Sequence, residues 1–351
     1  MTAGGNAEPV GSCPTPLPPG EAVLLGHGSG GRLTSELIDG IFLDRFANPE
    51  LARLGDSAVV EVGGLRLAFT TDAFVVTPAF FPGSDIGALS VNGTVNDLAM
   101  VGAAPLFLSA AFILEEGLLV EDLTTISDSM AEACRVAGVT LVTGDTKVVE
   151  RGGADGIFIT TSGVGLVPDG LDLGPDRLLA GDVILVSGPV GTHGVAVMSQ
   201  RAGIGFDVDI VSDTAPLTGL VEEVLAAAEV HCLRDATRGG LATVLCELAS
   251  ASQVRLLLRE ADVPVLDAVR AACATLGLDP LYVANEGVCV AAVAGSDADA
   301  ALRAARSHPL GARAAIVGLV ESGPEGVQLE TAVGTRRPIH MLAGEALPRI
   351  C

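Results

Sequence analysis

Four aspartates stand where a fold can gather carboxylates. Asp72 in FTTDAF, Asp145 in LVTGDTK and Asp235 in HCLRDATRGG close apolar, strand-like runs, and Asp97 in TVNDLA falls on a helical pattern. Carboxylate oxygens are hard ligands, and Mg2+ usually takes one or two of them together with phosphate oxygens. Any one Asp after a strand is ordinary turn chemistry. Four in similar apolar settings point to a shared cation site. Lys147 follows Asp145 by two residues and is the only lysine, the other basic residues all being Arg. Because Lys147 follows Thr146, no Gly-Lys-Ser/Thr sequence exists, which excludes a P-loop. Any lysine that contacts phosphate or relays a proton must be this one.

Further candidates lie outside these motifs. In LLGHGSGGRLTSELI, Gly26, Gly28, Gly30 and Gly31 surround His27 and Ser29 just ahead of a helical pattern. Backbone N–H groups of such a loop can cradle phosphate, helped by the helix N-terminus. The loop also fits G-x-G-x-x-G, but a dinucleotide fold needs a second strand ending in an acid about 20 residues on. Residues 43–54 read as helical or irregular instead, and the next strand reaches only Glu61. Glu286 in VANEGV precedes a strand and is either a general base or a turn carboxylate. His193 in GTHG and His231 stay open between site and loop roles. Cys351 ends the chain in LPRIC. A terminal thiol suits a carrier that is loaded at one site and delivered to another; its own α-carboxylate disfavours the thiolate, whereas Arg349 favours it.

The elements that must position these groups follow from composition and pattern. The 351 residues imply two or three domains, with apolar residues at 49% and charged residues at 18%. A net charge of −23 argues against nucleic acid or an anionic membrane as the main partner. Seven cysteines without a C-x-x-C pair, and no secretory signal, fit a reducing cytoplasm. The longest uncharged run, Leu98–Leu114, is broken by Gly102 and Pro105 and is short for a membrane span.

Residues 1–20 read as a disordered Pro/Gly-rich leader. Ala58–Val62 and Leu65–Thr71 read as strands around a Gly63-Gly64 turn. A helix capped by Ser84 or Asp85 runs towards Gly102, and a strand follows at Leu106–Leu114. A helix at Asp122–Ala137 and strands at Val139–Thr143 and Gly156–Val167 complete the first half. The Pro/Gly/Asp stretch 168–182 divides the chain, giving domains at 21–170 and 171–333 and a mobile tail at 334–351. The expected class is a mixture of α/β and α+β, with two domains.

Taken together, HGSGG, TTDAF, FFPGSDIGALSVNGTVNDLA, VTGDTKVVERG, VSGPVGTHG, LRDATRGG, ANEG and the terminal PRIC resemble the HypE family of hydrogenase maturation proteins. That family belongs to the PurM-like superfamily of aminoimidazole ribonucleotide synthetase, thiamine monophosphate kinase and selenophosphate synthetase. The resemblance implies an ATP-dependent dehydration. The carbamoyltransferase HypF loads a carboxamide onto Cys351, ATP phosphorylates its oxygen, and loss of phosphate leaves an S-cyano group for the [NiFe]-hydrogenase iron held by HypC–HypD. It further implies Mg2+ on Asp72, Asp97, Asp145 and Asp235, with Asp56 of GDSA a weaker ligand. Lys147 would stabilise phosphate oxygens and Glu286 would take the N–H protons. His27, Gly28, Ser29, Gly30, Gly31, Asn96, Thr146 and Thr237 would bind the nucleotide. The implied assembly is a homodimer formed through the N-terminal sheet, in the cytoplasm. Two rival classes remain: a superfamily kinase or synthetase acting on a small molecule, and a nucleotide-binding scaffold whose tail docks a partner.

Overall fold

The computed structural model describes residues 22–203, 205, 209–344 and 349–351; the expected leader at 1–20 lies outside them. Two sheets carry the chain. The first has five strands in the spatial order Ala58–Val62, Leu65–Phe74, Ile157–Leu166, Ala104–Glu115, Thr140–Val149. Only the last pair is parallel, joined by the crossover helix Val120–Ala137. The first hairpin closes through Gly63 and Gly64, both at positive φ (60° and 82°), as a two-residue turn between right-twisted strands demands.

Alternation along these strands gives the sheet two unlike faces. On Leu65–Phe74 the side chains of Ala68, Thr70 and Phe74 are buried and Asp72 points the same way, while Leu65, Phe69, Thr71 and Ala73 are exposed. The buried face is covered by the helix Ile86–Met100. Asp85 caps it, its carboxylate accepting from the Gly87 and Ala88 N–H groups at 2.7 and 3.2 Å and from Ser129 Oγ at 2.7 Å. That helix is buried nearly all round, as a helix packed between two layers must be.

The second sheet has seven strands in the order Arg336–Ile339, Gly326–Glu330, Arg255–Arg259, Ala315–Glu321, Val183–Val186, Cys289–Val293, Val230–Asp235. The helices Thr218–Ala227, Gly240–Ala251 and Ala298–Ser307 pack on it, while Thr192–Ala202 and Asp267–Leu276 pack in the core shared with the first half. One apolar core runs through both halves, joining Phe74, Leu89 and Ile159 to Val195, Cys273 and Val283.

Two expectations need correction. The strand read as Val139–Thr143 continues to Val149, so Asp145 and Lys147 lie inside a strand rather than past its end. Polar residues are tolerated there because this is an edge strand, exposed along nearly its whole length. The segment 334–351, read as a mobile tail, contains the strand Arg336–Ile339, paired antiparallel to Gly326–Glu330. Its last three residues are packed into the body of the protein. Among the described residues, no helix is long and apolar enough to cross a membrane.

Candidate active site

Three aspartates converge between the two sheets. Asp56 comes from the loop before the first strand, Asp97 from the covering helix and Asp235 from the end of Val230–Asp235. Their carboxylate oxygens lie within 4.8 Å of one another. Thr70 Oγ lies 2.8 Å from Asp97 Oδ2 and 2.9 Å from the Asp56 carbonyl, with one hydroxyl proton between the two. Arg234 Nε meets Asp56 Oδ1 at 2.9 Å and reaches back to Glu247 at 3.1 Å.

Burial and mutual repulsion penalise ionisation here. Burial drives the Asp97 and Asp235 pKa values well above the carboxylate range, and neighbouring aspartates add to it. Asp56 is pushed up to about 6 by burial, against the pull of Arg234. Asp72 is raised by burial too, opposed by Arg238 and by the Ala73 N–H that donates to it at 2.8 Å. Compact, oxygen-only and short of positive charge, this donor set fits a hard divalent cation such as Mg2+.

Glu286 extends the acidic wall. It is 3% exposed, and burial raises its pKa well above the usual value, with Asp235, Asp72 and Asp213 adding and Arg238 subtracting. Its backbone N–H donates to Asp213 Oδ1 at 3.2 Å. Gly287 must be glycine, because a Cβ there would collide with the Asp213 carbonyl.

Arg238 connects the acids to the glycine loop and to the chain end. Its guanidinium donates to the Gly28 carbonyl at 3.2 Å, and the negative charge of Cys351, then Asp72 and Glu286, raises its pKa against burial. The loop is folded on itself: Ser29 Oγ donates to the Gly26 carbonyl at 2.7 Å, Gly30 N–H to Thr34 Oγ at 3.0 Å, and Leu24 N–H to His27 Nδ1 at 2.9 Å. Ser29, Gly31, Arg238, Thr243, Leu342 and Ile350 line a shallow cleft between loop and tail.

The tail is docked inward. Val75 N–H donates to the Cys351 carbonyl at 3.1 Å, and Thr77 N–H to that of Arg349 at 3.3 Å. Arg349 Nη1 pairs with Asp155 at 2.6 Å. Ile350 is 3% exposed within the shared core, a burial worth about 1.5–3 kcal/mol.

The chain thus brings Asp56, Asp72, Asp97, Asp235, Glu286 and, through Arg238, the loop 27–31 and Cys351 to one region. Asp56, the weaker ligand on sequence, is a full member of the cluster. Thr237 lies between Asp235 and Arg238, its carbonyl accepting from Gly240 N–H at 2.9 Å. Asn96, expected to bind nucleotide, is instead saturated inside the protein. Its amide donates to the Ala215 and Glu286 carbonyls at 3.0 and 3.3 Å, and its oxygen accepts from Leu217 N–H at 2.7 Å.

Asp145, Thr146 and Lys147 stand apart. The strand register carries Asp72 through Thr161 and Ala110 to Gly144, three inter-strand spacings or roughly 14 Å away. Asp145 and Lys147 lie on the exposed face opposite the acids, paired to each other at 2.7 Å. The residues missed from sequence are Arg234, Arg238, Thr70 and Asp213. The only available signal was two arginines flanking Asp235 in LRDATRGG, since a buried carboxylate needs a counter-charge.

A family model for the AIR synthase related protein, N-terminal domain, matches residues 54–167, and its C-terminal counterpart matches 180–329. The protein named carbamoyl dehydratase HypE of Rhizobium leguminosarum bv. viciae is 53% identical over 93% of this chain and 94% of its own. That of Escherichia coli (strain K12) is 47% identical over 94% and 99%. Among solved structures, a HypE–HypF complex matches with TM-score 0.83 and 46% identity over 87% of this chain and 99% of that one. HypE in complex with ATP matches with TM-score 0.80 and 47% identity over 94% and 100%.

Proposed function

The chain belongs to the carbamoyl dehydratase HypE family, and from that premise we propose that it dehydrates a carboxamide on the Cys351 thiol with ATP, supplying the cyanide ligands of [NiFe]-hydrogenase. The observation that carries this reading is the inward tail. It brings the chain end at Cys351 close enough for its negative charge to act on Arg238, as those of Asp72, Asp97 and Glu286 do. A kinase for a free small molecule has no use for its own C-terminus in that position.

An amide oxygen is a poor leaving group until it is phosphorylated. The carboxamide oxygen attacks the γ-phosphorus of ATP, the bond to the β-phosphate oxygen breaks, and ADP leaves. One N–H proton is lost as the imidate phosphate forms. Loss of the second proton lets the C–O bond break, and S–C≡N remains. The oxygen departs as phosphate with one of the two protons, and the other passes to solvent. Glu286, whose raised pKa suits proton transfer, accepts from the nitrogen. Asp56, Asp72, Asp97 and Asp235 would hold Mg2+, which supplies positive charge to the phosphates during transfer. Arg238 secures the glycine loop over the cleft, and the loop limits water access to the intermediate.

HypF is the proposed donor of the carboxamide, as a complex of HypE with HypF exists among the relatives, and the HypC–HypD iron scaffold the proposed acceptor of the nitrile. The cytoplasm is the proposed setting, supported by the free thiols of Cys134, Cys232 and Cys246. We propose a homodimer as well. The outer face of the first sheet exposes Val60, Val62, Leu65, Phe69, Phe107 and Ile113 side by side, with Asp145 and Lys147 at one edge. A sheet face of that character needs a partner, and a second copy over it is the proposed route by which Asp145 and Lys147 enter the reacting centre.

Two measurements test this. S-carbamoylated protein given ATP should convert with Mg2+ present and stop when EDTA removes it; undiminished conversion in EDTA contradicts the cation role of the aspartates. Phe107→Asp should sediment as a monomer and lose dehydration to the same degree as Lys147→Ala. A fully active monomeric variant would remove both the dimer and Lys147 from the mechanism.

A further inference from the structure

His193 of GTHG has no part in the scheme above, yet it is the side chain that ties the docked tail to the loop supporting Glu286. Its ring is fully buried at the N-terminus of Thr192–Ala202. Nε2 lies 2.8 Å from the Ile350 carbonyl and Nδ1 lies 2.8 Å from Ser212 Oγ. A carbonyl can only accept, so Nε2 carries the proton, and Nδ1 therefore accepts from the Ser212 hydroxyl. Ser212 Oγ in turn accepts from Thr214 N–H at 3.1 Å. The ring edge packs on Phe81, with centroids 5.4 Å apart. Burial lowers its pKa to about 4, which keeps this neutral tautomer in place.

The neighbouring residue completes the link. Asp213 Oδ1 accepts the Glu286 N–H, and Gly287 leaves no room beyond the Asp213 backbone. Consecutive residues, Ser212 and Asp213, thus fix the ring that grips the peptide before Cys351 and the backbone that carries the base. The flanking carbonyls are held separately, that of Arg349 by Arg201 Nη2 at 2.6 Å and that of Cys351 by Val75 N–H.

We propose that His193 is a positioning residue for the dehydration: its Nε2–H fixes the Ile350 peptide and, through Ser212–Asp213, sets the register of the Cys351 adduct against Glu286. This rests on the function proposed above. A misplacement near 1 Å between reacting groups costs about 10²-fold in rate, and the His193 hydrogen bond holds the peptide next to Cys351.

The test uses the full chain, loaded by HypF and then mixed with ATP and Mg2+ in single turnover, followed by intact-mass spectrometry. His193→Gln keeps an amide N–H able to reach the Ile350 carbonyl, whereas His193→Ala does not. Loading should go to completion in both variants. Conversion should slow about 10²-fold in H193A and recover most of that loss in H193Q. Ser212→Ala, which leaves the core ring in place, should slow conversion several-fold and reports even where H193A fails to fold. Conversion at the wild-type rate in H193A or S212A, or H193Q as slow as a folded H193A, overturns the proposal. No loading of wild-type Cys351 beside an active HypF control would overturn the function itself, and this proposal with it.

Discussion

Cys351→Ala is expected to abolish HypF-dependent loading and with it all substrate-dependent ATP turnover, while nucleotide binding and fold survive. The side chain only borders the shared core, whereas Ile350 beside it carries the burial. Removing one sulfur therefore costs little stability, and the backbone bonds that dock the tail remain. ATP turnover by C351A at the wild-type rate in the presence of HypF and its substrates would favour the rival classes. In both of those the cysteine is incidental.

Glu286→Gln is expected to load normally and then dehydrate about 10²–10⁴ times more slowly. The amide preserves the shape of a buried side chain and removes the base. The sign of the pH dependence follows from the raised pKa. A base whose folded-state pKa lies well above the usual carboxylate range is protonated below that value. Single-turnover conversion should therefore rise with pH through it and then level off. E286Q should lose that rising limb altogether. A variant whose residual rate keeps the wild-type pH profile would assign the proton transfer to another group, such as Asp213, itself raised to about 6 by burial.

Much of the fold was legible because its signals are local. Gly63-Gly64 between two alternating runs can hardly be other than a hairpin, and the strands there are Ala58–Val62 and Leu65–Phe74. Asp85 ahead of an apolar run announced a helix start, and its carboxylate caps Ile86–Met100. Gly138 closes Val120–Ala137 in the left-handed conformation that favours glycine. The strand Arg336–Ile339 escaped notice because its sequence, RRPI, lacks alternation and gains its order from hairpin pairing with the preceding strand Gly326–Glu330.

The acids of the site were recognisable by type, and the cluster of Asp56, Asp97 and Asp235 by spacing was not. They come from a loop, a helix and the end of a strand in the other half, and only the packing of two sheets on one helix unites them. Asn96 misled for a physical reason: an Asn beside a ligand Asp looks like a nucleotide contact, but its amide is consumed in tying Leu217, Ala215 and Glu286 together. Lys147 was conspicuous by composition, yet sequence could not reveal that it faces away from the acids. Of the 43 acidic residues, those of the cluster and Glu286 acquire a proposed part in the chemistry and Asp85, Asp155, Asp213 and Glu247 a structural one, and nothing in the structure explains the large net negative charge.

The central claim is that the C-terminal thiol carries the group this chain dehydrates. Mass analysis of the C-terminal peptide, after incubation with HypF and its substrates and then with Mg2+ and ATP, addresses it most directly. The account predicts a single carboxamide on Cys351, followed by loss of one water from that same adduct when ATP is added. An unmodified peptide beside an active HypF control, or a carboxamide that ATP leaves unchanged, would contradict it.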